Sequence, residues 1–206
     1  LTADRMDLAA LARIAQRLPL GDKAHQALQT YAPKGQVESL QASWQGTSDR
    51  LNSYQARARV SGLELGAGVA PQSGRDREGL GGHAAMPIAL GLRGATIDLD
   101  MTQAGGKASV AIADGALLLP GIFEDPWLPL ARLRSAVHWQ VDGEQLAVQV
   151  SDTQFSNSDA EGELRASWHT SDAATARGRS RFPGVLDLSG KLNRADGTRV
   201  HRYLPL

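Results

Sequence analysis

Two pairs of acidic residues have a spacing that could support chemistry. Asp98 and Asp100, and likewise Glu161 and Glu163, occupy alternate positions, so on a strand both carboxylates of a pair project from the same face. Glycosidases use two carboxylates in this way, one as an acid and one as a base or nucleophile. Both pairs, however, lie in runs where apolar and polar residues alternate, and the acids fall on the polar side. We therefore interpret them as solvated surface charges.

Other signatures of chemistry are also weak. The GLGG stretch at 79–82 lacks the following helix and the lysine of a phosphate-binding loop, and there is no GxSxG nucleophile motif. No two histidines have the short spacing that helical or hairpin metal sites use: His25, His83, His138, His169 and His201. We expect no catalytic residue, no metal site and no cofactor, and hence a protein that is not an enzyme.

The composition excludes several classes of function. Lysine plus arginine and aspartate plus glutamate both total 22 in the 206 residues, so the net charge is zero and a nucleic-acid partner is disfavoured. The absence of cysteine excludes disulfides and thiol catalysis. The longest uncharged runs contain glycine and proline and are shorter than the ~18–20 apolar residues of a membrane span. We expect no transmembrane helix within these residues.

The first 35 residues have a helical pattern. Leu1 to Leu18 carries apolar residues at spacings of three and four, with Asp4 as a candidate N-cap. A second helical stretch follows Gly21 and ends before Pro33. We predict a helical hairpin over 1–35 whose apolar stripe packs on a sheet.

From Gln36 onward the hydrophobic period is two, which is typical of strands with one apolar face. Turn sequences such as Ala104-Gly105-Gly106 and Asp142-Gly143 separate the alternating runs. The fold class predicted is mainly β with an N-terminal α-helical hairpin, with antiparallel hairpins following one another over 36–206. The glycine-rich stretch at about 66–87 is predicted to be a flexible insert, and 171–181 a loop.

The stretch from Gly115 to Trp139 is punctuated by prolines. We predict that one strand ends near Pro120, and that the chain then crosses the rim of the sheet, anchored by Trp127 and Leu130, before the next strand begins at Leu133.

One short motif occurs twice in similar form, as LQASWQGTSD from Leu40 and as LRASWHTSD from Leu164. Such an echo is what a repeated β array would produce.

Several segments, in this order, make the chain resemble the YhdP-type proteins, which are AsmA-like, TamB-related proteins of the Gram-negative envelope: DLAALARIAQRLPL (7–20), YAPKGQVESLQASWQG (31–46), LRGATIDLDMTQAGGKASV (92–110), LLLPGIFEDPWLPLARLRSAVHW (117–139), FSNSDAEGELRASW (155–168), FPGVLDLSGKL (182–192) and VHRYLPL (200–206). The match leaves out 66–87. Its motifs are structural, and the family has no catalytic residues to carry over.

The resemblance implies a large periplasmic protein held in the inner membrane by an anchor outside these residues, of which this chain is an internal piece. It implies an elongated, curled, taco-like β-sheet whose groove conducts phospholipid towards the outer membrane. The expected partners are phospholipid acyl chains and, through other parts of the protein, the two membranes. The alternative is a non-catalytic structural or interaction module of an envelope assembly factor, with a closed core.

Residues on the apolar parity of the predicted strands are the candidates for lining a lipid groove. They include three of the four tryptophans, which could equally fill a core. The candidates are Leu40, Ala42, Trp44, Tyr54, Ala56, Ala58, Val60, Ile97, Leu99, Val110, Ile112, Val137, Trp139, Val148, Leu164, Trp168, Leu186 and Leu188.

Overall fold

The structure is a computed structural model, and it describes residues 2–17, 22–47, 50–66, 91–120, 123, 125–143, 145–170, 184–199 and 202. Nine strands and two helices lie in these residues. They are β1 Thr2–Asp7, α1 Leu8–Ala15, α2 Asp22–Tyr31, β2 Lys34–Thr47, β3 Arg50–Leu65, β4 Gly91–Thr102, β5 Gly105–Leu118, β6 Trp127–Asp142, β7 Gln145–Ser156, β8 Ala160–His169 and β9 Val185–Ala195.

The nine strands form one open, curled sheet in which the spatial order is the order along the chain. Every neighbouring pair is antiparallel. This meander confirms the predicted fold class, because hairpins with one apolar face pair with the strand that follows them in sequence. β1 and β9 are the two edges.

The predicted first helix is wrong over its first part. Thr2–Asp7 is a strand, with Met6 opposite Val37 of β2. The helix begins only at Leu8, and its N-cap is Asp7, whose carboxylate accepts a hydrogen bond from the N–H of Ala10 at 2.8 Å, whereas Asp4 lies within the strand. Pairing with β2 satisfies the backbone polar groups of these residues, which overrides their modest helical periodicity.

The predicted rim crossing is also wrong. Trp127 to Leu130 are the first residues of β6, with Trp127 opposite Leu118 and Pro129 opposite Ala116. Pro129 is tolerated in the ladder because the pairing of β6 with β7 starts only at Arg132. This end of β6 therefore has a neighbour on one side only, and the missing N–H of proline costs no ladder hydrogen bond there.

Irregular positions recur in consecutive strands and bend the sheet. Register shifts follow Val60 in β3 and Arg93 in β4, and Gly62 and Gly94 have φ values of 59° and 76° there. Asp114 in β5 and Asp152 in β7 have φ values of 55° and 50°. An extra residue in a strand bends it and increases its twist. It also lets apolar side chains separated by odd spacings share one face.

The packed core lies at one end of this face, towards the start of β6. It consists of Leu63, Leu92, Ala95, Ile112, Leu130 and Leu133, and Leu8 of α1 packs against it. Ala95 is 0% and Ile112 2% exposed. A flat, single-layered sheet would leave such side chains in water, so the burial here depends on the curl of the sheet and on α1.

Several predictions lie outside the described residues. They are the flexible insert, of which only Gly66 is described, and the 171–181 loop. The turn predicted at Ala104-Gly105-Gly106 is displaced slightly, because Gly105 already belongs to β5 and the turn consists of Gln103 and Ala104.

Candidate functional site

One row of apolar side chains crosses all nine strands, and we call it the central row. Each member stands directly opposite the next in the register of the sheet, and so all share one face, the apolar face. The row is Ala3, Leu40, Ala58, Leu99, Ala108, Val137, Val150, Ala166 and Leu188. With strands ~4.8 Å apart, its eight intervals span about 38 Å.

A second row, the tryptophan row, lies two residues further along each strand, about 7 Å away. It runs as Ala42, Ala56, Met101, Gly106, Trp139, Val148, Trp168 and Leu186. Trp44, opposite Tyr54, lies one step beyond it. These side chains lie at one end of the apolar face, and the packed core lies at the other end of the same face.

A third row, the valine row, lies on the core side of the central row. It runs as Met6, Val37, Val60, Ile97, Val110 and Ser135. The Ser135 hydroxyl is 2.8 Å from the hydroxyl of Thr153, which is 4% exposed. The two hydroxyls satisfy each other, as buried polar groups must, where the register shifts of β7 interrupt the alternation.

All eighteen sequence candidates lie on the apolar face, and most fall in these three rows. Leu164 stands opposite Thr153. Ile112 belongs to the packed core, so it helps to close the sheet rather than offer an accessible surface. At the other extreme, Leu188 is 68% exposed on the edge strand β9.

The sequence candidates leave out six members of the first two rows. Met101, Ala108, Val150 and Ala166 continue the same alternation as their neighbours, so parity indicates them. Gly106 has no side chain to mark its face, and Ala3 lies in a segment predicted to be helical.

The opposite face carries a ladder of ion pairs. Arg57 contacts Asp100 at 3.1 Å, and Arg59 contacts Asp98 at 3.0 Å and Glu38 at 2.9 Å. All these side chains are substantially exposed, and each pair contributes at most about 1 kcal/mol to stability. Asp98 and Asp100 thus lie on the polar face, as their parity predicts.

The tryptophans have different environments. Trp44 is 55% exposed and Trp168 is 9% exposed. Trp127 follows the polar parity of β6, because its neighbour Leu128 packs towards the core. The guanidinium carbon of Arg93 lies 4.7 Å from the centre of its ring, a cation–π contact. Trp127 is therefore an outer-face residue and not an anchor of a crossing.

A polar cluster lies beyond the core end of β7 and β8. The Arg202 guanidinium contacts Asp159 at 3.0 Å and Asp125 at 3.3 Å, and the Asp159 side chain is 7% exposed. The preceding turn is held by Asp196, whose carboxylate accepts hydrogen bonds from the hydroxyl and the N–H of Thr198. These two bonds lower the pKa of Asp196 below its ordinary value. The cluster ties the chain after β9 back to the β7–β8 turn.

Among the described residues, no group of three or more histidine and acidic side chains converges as a metal site would require. None of the helices described is long and apolar enough to cross a membrane.

The fold and the surface together define a class: an open, curled antiparallel meander with a continuous apolar face that is packed at one end. Within that class, the family model of the YhdP protein matches residues 1–206. The chain therefore belongs to the YhdP family, the AsmA-like type of envelope protein. No curated protein and no solved structure matches it.

Proposed function

We propose that this chain is a segment of a bridge-like lipid-transfer protein whose apolar face carries phospholipid acyl chains from the inner to the outer membrane of a Gram-negative envelope. Such transfer would support the outer-membrane permeability barrier. The observation that carries the proposal is the central row, in which nine strands in succession contribute nine apolar side chains and no polar one.

Continuity matters because of the cost of exposing lipid tails to water. Each CH₂ group costs about 0.8 kcal/mol, so two tails of about 16 carbons represent roughly 25 kcal/mol. A gap in the track would expose several CH₂ groups at once and create a barrier to movement. A row without a polar interruption keeps this cost nearly constant along its length.

The dimensions also agree. A tail occupies about half of the ~30 Å hydrocarbon thickness of a bilayer, or roughly 15 Å. The central row spans about 38 Å, so a tail can shift along it while keeping apolar contact throughout. The head group would keep its contact with solvent at the edge of the apolar face, and the proposal includes no catalytic step, cofactor or nucleic-acid partner. It places the segment in the periplasm, within a protein anchored in the inner membrane by residues outside this segment.

Photo-crosslinking in the full-length protein tests the proposal with matched controls. A crosslinking residue replaces Leu99, Val148 or Leu188 on the apolar face, and a control replaces the preceding or following residue, Asp98, Gln149 or Asp187, on the polar face. We expect phospholipid adducts from the first set only. If neither set yields adducts in a folded, functional protein, or if both yield them equally, the proposal is wrong.

The packed cluster around Ala95 and Ile112 favours a second candidate, a structural or interaction module whose apolar face is a closed core. It predicts envelope function without lipid adducts from the apolar face.

Replacing both Asp98 and Asp100 with asparagine distinguishes either candidate from an enzyme. We expect envelope function to survive this change; loss of function in a folded variant would indicate catalysis.

A further inference from the structure

Resting on the proposed function, we infer that the groove has a fixed polarity: the polar end of a bound diacyl lipid lies at the tryptophan row, and the tails lie over the central and valine rows. The lipid class is one with an acceptor-bearing end, such as glycerol esters or phosphate, joined to apolar tails. Trp139 and Trp168 are the positioning residues.

Space is the first argument. A cleft of about 750 Å³ lies over the tryptophan row between β4 and β8, and Met101, Trp139, Val148 and Trp168 are among its lining residues. At the other end of the same face, Ala95 and Ile112 are almost completely buried. A bulky polar end therefore fits at the tryptophan end of the groove, whereas the core end of β4 and β5 is filled by protein.

The chemistry of the cleft is the second argument. Lys107, His138 and His169 also border the cleft, but their side chains belong to the polar face of the sheet. The cleft lies at the end of the apolar face next to the β4–β5 turn, since Thr102 and Ala104 also line it. Such an edge between an apolar face and water suits a molecule that is apolar at one end and carries acceptor oxygens at the other. Tryptophan is the side chain that favours such boundaries, because its ring is apolar and its N–H is polar.

An unsatisfied donor is the third argument. The Nε1–H of Trp168 is buried and has no hydrogen-bond partner among the described residues. Leaving a buried donor unpaired destabilises the protein, so a ligand atom that accepts this hydrogen bond would be favoured. The indole nitrogen lies against Gly184, where an added Cβ would clash with it. Gly184 immediately precedes β9, which among the described strands pairs only with β8, so a small displacement there would let a lipid oxygen reach the donor.

Depth-dependent quenching of tryptophan fluorescence tests this polarity. Two forms of the full-length protein are prepared by changing tryptophans to phenylalanine, one retaining only Trp139 and Trp168 and the other retaining only Trp127. Trp139 and Trp127 both lie on β6, but Trp127 is at the far end and on the polar face. Each form is mixed with phosphatidylcholine vesicles carrying a nitroxide on the head group, next to the ester, or at the tail end.

We expect the form with Trp139 and Trp168 to lose most emission with the head-group and near-ester labels and least with the tail-end label, and the form with Trp127 to lose none with any label. Strongest quenching by the tail-end label, or equal quenching by all three, would overturn the inference. If adducts form from Leu99 but no label quenches Trp139, the inference fails and the proposed function stands. If neither adducts nor quenching occur, the proposed function itself fails.

Should these tryptophan-depleted forms not fold, the absence of cysteine from the chain offers a second measurement. Val141→Cys, at the tryptophan end of β6 and 39% exposed, accepts a fluorescent label without altering any tryptophan. The same order of quenching is expected from it, and the reverse order would contradict the inference.

Discussion

The ring of Trp139 lies over Gly106 on the neighbouring strand: a Cβ built on Gly106 would be 2.6 Å from Cζ2 of the ring. The same Cβ would be 2.6 Å from the carbonyl oxygen of Asp100. Because Gly106 has no side chain, the ring of Trp139 packs directly on its backbone. The cleft is deeper at that point for the same reason.

Gly106→Ala should destabilise the protein by about 1–3 kcal/mol, because the added methyl group meets both backbone and ring and forces a shift of packed atoms. Chemical denaturation monitored by tryptophan fluorescence measures the effect. Gly197→Ala is the matched control, since nothing lies within 4 Å of its Cβ position, and its effect should stay within about 0.5 kcal/mol. Equal stability of the two variants would show that the ring of Trp139 is not packed on Gly106.

Ile112 and Leu188 are both sequence candidates for the groove, but truncation of Ile112 should destabilise the protein much more than truncation of Leu188. Ile112→Ala should cost about 2–5 kcal/mol, because Ile112 is 2% exposed within the packed core. Leu188→Ala should cost less than about 0.5 kcal/mol, because Leu188 is 68% exposed. Thermal or chemical unfolding checks both values. A large loss of stability from Leu188→Ala would mean that β9 is covered in solution.

The contact between Arg202 and Asp159 should stabilise the fold, unlike the ladder on the polar face. Asp159→Asn should cost about 1–3 kcal/mol, since it weakens a charge-assisted hydrogen bond of a side chain that is 7% exposed. Asp100→Asn serves as the control: its partner Arg57 is 61% exposed, and the loss should be at most about 1 kcal/mol. Unfolding at low and high salt distinguishes the two, because only the exposed pair should be weakened appreciably by screening. Equal losses of stability would mean that the contact between Arg202 and Asp159 is no better shielded from solvent than the exposed pair.

The class of fold could be predicted from the sequence because each strand has a period of two and a turn sequence follows it. The same alternation placed all eighteen candidates on one face, since opposite neighbours in a register share a face. Apolar parity is a local property of the chain, and pairing between consecutive strands preserves it.

Local pattern misled the prediction where a neighbouring strand decided the outcome. Thr2–Asp7 has enough helical periodicity to resemble a helix, and pairing with β2 makes it a strand. Pro129 favoured a crossing because proline cannot donate a ladder hydrogen bond. The pairing of β6 with β7 begins only at Arg132, so no such bond is needed from Pro129 on that side. In both places the deciding hydrogen bonds come from residues distant in sequence.

By itself, the amino-acid sequence determined that the chain is a β-rich array with one apolar face and no evident catalytic motif, because these properties follow from residue type and spacing. Only the tertiary structure decided which apolar residues become core and which remain open. Ile112 and Leu188 have the same parity, but the bend created at Gly62, Gly94 and Asp114 closes the sheet over one end. The cleft at Trp139 lies at the other end, where none of the described residues covers the strands, and burial of this kind is a property of the assembled sheet.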